Sequence, residues 1–199
     1  MQTVLLGGFL GSGKTTILNL LTQYLIDYKK VPPKKVVILE NEIGEVSIDD
    51  QLIKSNGYKV ETMASGCFCC SMSGDLLQNL NRLKKDMDPE VVIIEATGVA
   101  YPYKIKESIE QSSLGIKCNT CCIVDANRWN RLLVALKQFI TDQLDRTDVV
   151  LINKIDLVDS EKLDKIIEQV RSYNPTADLY CLSAVNDVDL SIFDSLFKL

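Results

Sequence analysis

From Gly8 to Thr15 the chain reads Gly-Phe-Leu-Gly-Ser-Gly-Lys-Thr, a G-x-x-x-x-G-K-T pattern, and Thr16 follows. Such a pattern can cradle a chain of phosphates. Glycines at 8, 11 and 13, with Ser12 between them, let backbone N–H groups turn inward where a side chain would block the approach. The Lys14 ammonium is suited to the terminal phosphates, and the Thr15 hydroxyl to Mg²⁺. Apolar residues before the loop (Val4, Leu5, Leu6) and after it (Ile17, Leu18) set it between a strand and a helix. The helix N-terminus adds positive partial charge beneath the anion. The plain alternative, a glycine-rich turn, meets this pattern by chance in roughly 1% of chains of this length.

A second group bears on the base. Asn153-Lys154-Ile155-Asp156 follows the apolar run Val149–Ile152. A carboxylate at Asp156 can accept from both N1–H and the exocyclic amine of guanine, which adenine lacks, so ATP would leave a buried carboxylate unpaired. Asn153 would support the base and the loop, while the Lys154 stem lies over the ring. Ser183-Ala184, after another strand-like run, fits a loop that caps guanine. Alone, Asn153 to Asp156 reads equally as a polar turn. At a strand end downstream of a phosphate loop, it reads as a guanine site.

Glu95-Ala96-Thr97-Gly98 ends a further apolar run. There a carboxylate can hold Mg²⁺ or its water, and the Gly98 N–H can reach a γ-phosphate. Lys14, Glu95 and Gly98 are thus the candidate catalytic groups. No glutamine follows Gly98 to position a water, so slow intrinsic hydrolysis is expected.

Gly66-Cys67-Phe68-Cys69-Cys70 places three thiols within four residues. A turn can converge such thiolates on one soft or borderline ion, with Zn²⁺ the default. Glu42 and Glu45 stand in an acidic loop after the second strand. They could ligate Mg²⁺ or a second metal, or equally form a solvated loop. Cys118, Cys121 and Cys122 read differently: in an extended segment, residues an odd number apart point to opposite faces, so these thiols belong to the core. Cys181 is assigned to the core as well.

The elements needed to position these groups alternate along the chain. Strands are expected near 4–6, 35–40, 57–62, 91–95, 121–125, 149–152 and 179–182, and helices over 14–28, 75–87, 160–173 and 190–199. A further amphipathic helix runs through Trp129, Leu132, Leu133 and Leu136. The pattern predicts an α/β fold of the P-loop NTPase type, a mostly parallel sheet with helices on both faces, in one domain over 1–199. The 199 residues are 46% hydrophobic and 25% charged with a net charge of −5, which makes no electrostatic case for nucleic acid or a lipid surface. With no signal peptide and no apolar run near the roughly 20 residues of a membrane span, a cytoplasmic protein is expected. Seven cysteines in a reducing compartment point to metal, redox chemistry or burial, and the lack of histidine leaves thiolates and carboxylates as metal ligands.

Taken together, these motifs resemble the CobW-type family of P-loop GTPases, related to the urease and hydrogenase maturation GTPases. The matching pieces run in the family's order: residues 8–16, Asn41-Glu42-Ile43-Gly44-Glu45, Gly66 to Cys70, Glu95 to Gly98, Asn153 to Asp156 and Asn174-Pro175-Thr176-Ala177. The resemblance implies a Mg²⁺-dependent GTPase, cycling between GTP and GDP, that binds Zn²⁺, Co²⁺ or Ni²⁺ at Cys67, Cys69 and Cys70. Nucleotide state would be coupled to metal delivery to a client metalloprotein or cofactor-biosynthesis enzyme, with a homodimer among the assemblies expected. Two departures are an alanine at 96, where a small hydroxyl residue is commoner, and the absence of the family's usual C-terminal domain. The other readings are a metal- or redox-responsive GTP-binding regulator with negligible turnover, and an accessory GTPase of corrinoid or methyltransferase systems.

Overall fold

The structure, a computed structural model, describes residues 1–40, 59–62 and 73–197. Seven parallel strands form one sheet: β1 (Gln2–Gly7), β2 (Val36–Glu40), β3 (Lys59–Thr62), β4 (Val91–Glu95), β5 (Lys117–Asp125), β6 (Val149–Asn153) and β7 (Asp178–Cys181). Their order is β3-β2-β4-β1-β5-β6-β7. β2, β4 and β6 are buried at every residue, which is why they are runs of Val, Ile and Leu without polar alternation. After β1 the chain crosses to one side of the sheet and later to the other. The crevice at its C-terminal end is therefore the topological switch point where open α/β sheets bind ligands.

Helices cover both faces, as expected. Val4 and Leu6 pack with Ile17, Leu18, Leu21, Tyr24 and Leu25 of α1 (Lys14–Asp27), and with Phe193 and Leu196 of a terminal 3₁₀ segment (Leu190–Phe197). On the opposite face Leu5 packs with Leu76, Leu80 and Leu83 of α2 (Ser73–Asp86) and with Ile105 and Ile109 of α3 (Pro102–Glu110). Beside them Cys122, Val124, Val150 and Ile152 meet Trp129, Ile140 and Leu144 of α4 (Trp129–Leu144) and Ile166 and Val170 of α5 (Ser160–Tyr173). No side chain caps α1 and its first turn carries no acid. Its order comes instead from the buried apolar face, each large side chain of which contributes about 1.5–3 kcal/mol.

Several boundaries differ from the sequence expectation. β5 begins at Lys117 instead of 121, pairing Cys118 with Thr3 and Asn119 with Val4. The polar Thr120 is tolerated in this strand because its N–H and hydroxyl both donate to Asp148 Oδ2, at 2.7 and 2.8 Å. α3 was not expected from the sequence; it opens on Pro102, and proline is accommodated in a helix's first turn, where its missing donor has no intrahelical partner. α4 is kinked at Leu136 (φ −141°, ψ 35°), so Leu136 leaves the apolar face and is exposed. The last element is a 3₁₀ segment, not the expected α-helix. Asp159 caps α5 by accepting from Lys162 N at 2.8 Å.

Candidate functional site

The loop between β1 and α1 takes a conformation that its glycines permit. Gly8, Gly11 and Gly13 have φ of 129°, 73° and 101°. A Cβ on Gly8 would lie 2.3 Å from the Ile123 carbonyl oxygen, and one on Gly13 would lie 2.4 Å from Asn153 Nδ2. Ser12 N–H donates to the Phe9 carbonyl at 3.1 Å. Ser12 Oγ is buried without a hydrogen-bond partner, and Gly13 ends the loop as an N-cap lacking any capping side chain. A buried hydroxyl and an uncapped helix N-terminus on one loop suit a polyanion. Lys14 is buried, while Thr16 is exposed on the first turn of α1.

Thr15 sits in that same turn, and its Oγ1 donates to Glu95 Oε1 at 3.1 Å. Glu95 ends β4 and is buried, in register with Leu6 of β1 and Glu40 of β2. A hydroxyl and a carboxylate oxygen brought together beside a phosphate loop fit a Mg²⁺ ion, a hard cation that takes oxygen ligands. Gly98 follows at close quarters: a Cβ there would stand 2.7 Å from Leu10 N. Gln143 of α4 donates its amide to the Gly98 and Ala100 carbonyls at 3.1 and 2.9 Å. That buried amide is thus committed to holding the segment and does not replace the glutamine missing after Gly98.

The β6 end joins the loop through Asn153. Its Nδ2 donates to the Ser12 carbonyl at 3.0 Å, and its Oδ1 accepts from Ala184 N–H at 3.0 Å. One side chain therefore ties the phosphate loop to Ser183-Ala184. Lys154 Nζ reaches the Gly11 carbonyl at 2.6 Å and Asp125 Oδ2 at 2.8 Å. Asp156 and Ser183 line a cleft of about 530 Å³, with Leu182, Asn186 and Asp187 also on its wall. Ser183 Oγ is buried with no partner, a second orphaned hydroxyl on the same side of the molecule. Contrary to the sequence expectation of a buried carboxylate, Asp156 is exposed on the turn after β6.

Asp125, read from sequence only as a strand end, belongs to this cluster. Burial raises its pKa, but hydrogen bonds from Lys154 and Arg128 outweigh that and hold the carboxyl below its ordinary value. Arg128 Nε donates to Asp125 Oδ2 at 2.8 Å and Nη2 to the Leu10 carbonyl at 2.6 Å. Nothing in the local sequence marks Arg128 or Gln143; both act across the fold. Asn174, one of the motif residues, lies elsewhere and is structural. Its Nδ2 donates to the Leu144 and Thr147 carbonyls at 2.7 and 2.9 Å, while Oδ1 accepts from Ala177 N–H at 3.1 Å.

The cysteines divide. Cys118, Cys121 and Cys122 are buried in three different apolar clusters, and Cys121 diverges from the other two as their spacing in a strand predicts. Burial pushes the Cys118 and Cys122 thiols up to about 12 and the Cys121 thiol well above its usual value, so none is a ready thiolate. Cys181 is half-buried. Cys67, Cys69, Cys70, Glu42 and Glu45 lie outside the described residues. Among the described residues, no group of three or more His, Cys, Asp or Glu could hold a metal, and no helix is long and apolar enough to cross a membrane.

Residues 2–180 match the family model described as the CobW/HypB/UreG nucleotide-binding domain. The chain is 32% identical to the zinc chaperone YjiA of Escherichia coli, over 96% of this chain and 60% of that protein. It is 31% identical to the zinc-regulated GTPase metalloprotein activator 1 of Dictyostelium discoideum, over 92% of this chain and 45% of that one. It therefore spans about half the length of these relatives. The crystal structure of Zn(II)-bound YjiA GTPase from E. coli superposes with a TM-score of 0.69 at 25% identity, over 100% of this chain and 63% of that one. Hydrogenase maturation factor HypB of Archaeoglobus fulgidus shares the fold at a TM-score of 0.69 and 19% identity, over 96% and 85% of the two chains. With its glycine loop, the Glu95 carboxylate of β4 and the Asn153–Asp156 run after β6 gathered at the sheet's switch point, the chain belongs to the CobW/HypB/UreG family of P-loop nucleotide-binding domains.

Proposed function

We propose that this chain is a GTPase domain that hydrolyses GTP to GDP and phosphate and couples its nucleotide state to the handling of zinc. The observation that carries the nucleotide reading is Asn153, which bonds the phosphate loop at Ser12 and the base loop at Ala184. In this reading the backbone amides of residues 8–16 hold the phosphates, and Lys14 neutralises their charge. Thr15 and Glu95 would hold Mg²⁺, which would supply charge neutralisation at the phosphates. Gly98 N–H meets the γ-phosphate. Asp156 accepts from the guanine edge while Ser183 and Ala184 cap it.

Zinc is cargo here, ligated by Cys67, Cys69 and Cys70 and passed to a client metalloprotein or cofactor-biosynthesis enzyme. The support is chemical and comparative: three thiols within four residues, and relatives named as zinc chaperones. If nucleotide and metal are coupled, each must change the affinity for the other by the same factor. Zinc affinity measured anaerobically with a GTP analogue, with GDP and without nucleotide tests this, and three equal values refute the coupling. A variant with serine at 67, 69 and 70 should lose zinc and keep nucleotide.

The commitment of Gln143 to backbone carbonyls favours a second reading, a GTP-binding regulator with negligible turnover. Turnover measured with and without zinc separates the two: the regulator shows none in either condition.

A further inference from the structure

We propose that Arg128, tethered by Asp125, is a positioning residue for the phosphate loop: it holds the Leu10 carbonyl outward and so keeps the loop's amides turned toward the nucleotide. This rests on the reading of residues 8–16 as a phosphate loop.

Three successive loop carbonyls each accept from a side chain near the C-terminal ends of β5 and β6. Leu10 is held by Arg128 Nη2 at 2.6 Å, Gly11 by Lys154 Nζ at 2.6 Å and Ser12 by Asn153 Nδ2 at 3.0 Å. In a planar trans peptide the N–H points opposite the C=O. Fixing the Leu10 and Ser12 carbonyls therefore turns the Gly11 and Gly13 N–H groups to the other side, from which a phosphate must approach. The Ser12 N–H instead closes a turn onto Phe9 at 3.1 Å.

Asp125 couples two of these braces. Its Oδ2 accepts from Arg128 Nε and from Lys154 Nζ, both at 2.8 Å, and its Oδ1 accepts from Arg128 N–H at 3.1 Å. Two cations on one buried carboxylate leave one net positive charge beside the loop, which itself favours an anion. The planar guanidinium suits the double task, since one edge meets the carboxylate while another nitrogen meets the carbonyl; a lysine concentrates its donors at one point. The guanidinium also lies against Gly11, where a Cβ would come within 3.1 Å of Nη2.

The test uses the full chain and the variants Arg128→Gln and Arg128→Lys. GDP, GTP and guanosine affinities are measured by displacement of a fluorescent nucleotide, alongside steady-state GTP turnover and melting temperature. Loss of one charge-assisted hydrogen bond to the loop should weaken GDP and GTP equally, by about tenfold in Arg128→Gln. Guanosine, which bypasses the loop, should bind unchanged. KM for GTP should rise with kcat held within about twofold, and Arg128→Lys should recover only part of the loss. Unchanged GDP affinity overturns the inference, as does an equal loss for guanosine, which would mark a general structural role. A loss confined to GTP also overturns it, by pointing to direct γ-phosphate contact. A parent chain that binds neither GDP nor GTP refutes the phosphate-loop reading itself.

Discussion

Thr15 Oγ1 donates to Glu95 Oε1 at 3.1 Å, joining the first turn of α1 to the C-terminal end of β4 across 80 residues of sequence. Neighbouring strands position the pair, because Glu95 lies beside Leu6 in the register of β4 and β1. If the pair shares Mg²⁺, Thr15→Val should cut Mg²⁺-dependent GTP turnover about 100-fold with little change in metal-free GDP affinity. A Mg²⁺ titration of turnover measures this; unaltered turnover would remove Thr15 from the metal site.

Asp156→Asn should exchange the preferred base. An asparagine accepts from N1–H and donates to an exocyclic carbonyl oxygen at C2, so it suits xanthine, whereas guanine would meet it with the donor of its exocyclic amine. GTP affinity is expected to fall about 100-fold and xanthosine triphosphate affinity to rise by competition assay. Equal losses for both nucleotides would mean that the cleft beside Ser183 does not seat the base.

Gly8→Ala should be costly. Its φ of 129° disfavours a Cβ, and the new atom would stand 2.3 Å from the Ile123 carbonyl oxygen, a backbone atom that cannot swing aside. A loss of about 3 kcal/mol in urea denaturation is expected from strain plus overpacking.

Asn174→Ala separates fold from function within the family motifs. The loss leaves the Leu144 and Thr147 carbonyls and the Ala177 N–H without their partner, at a cost of about 2–4 kcal/mol. GDP affinity under native conditions should stay within about twofold, since none of these groups lines the cleft beside Asp156 and Ser183.

Acid should release the Asp125 brace. The Asp125 carboxyl is held below its unfolded value by Lys154 and Arg128 despite burial, so its stabilisation is present above the unfolded pKa and fades as pH falls through the folded one. The stability difference between the parent chain and Asp125→Asn should be full at neutral pH and shrink below about pH 4. Denaturation series at stepped pH give the difference, and a gap that widened in acid would contradict the assigned direction.

Much of the fold was legible because its strands are buried on both sides. A run such as Val91-Val92-Ile93-Ile94 has no alternative to the sheet interior, and Lys14 to Tyr28 shows a helical face before Val31-Pro32-Pro33. α3 was hidden by Pro102, and the early start of β5 by Asn119 and Thr120. The polarity of Thr120 makes sense only with Asp148 in place, 28 residues away. The kink at Leu136 is equally silent, since its leucines continue the apolar spacing through it.

The candidate site divides along the same line. Local motifs specified the glycine loop, Glu95 to Gly98 and Asn153 to Asp156, because each is a short run whose own residues shape the backbone. They also assigned Cys118, Cys121 and Cys122 to the core through the two-residue period of an extended chain. The tertiary structure decided which side chains brace those runs. Arg128, Asp125 and Gln143 hold backbone carbonyls distant in sequence, and such contacts leave no local pattern, because a carbonyl accepts from any donor that the fold brings within reach.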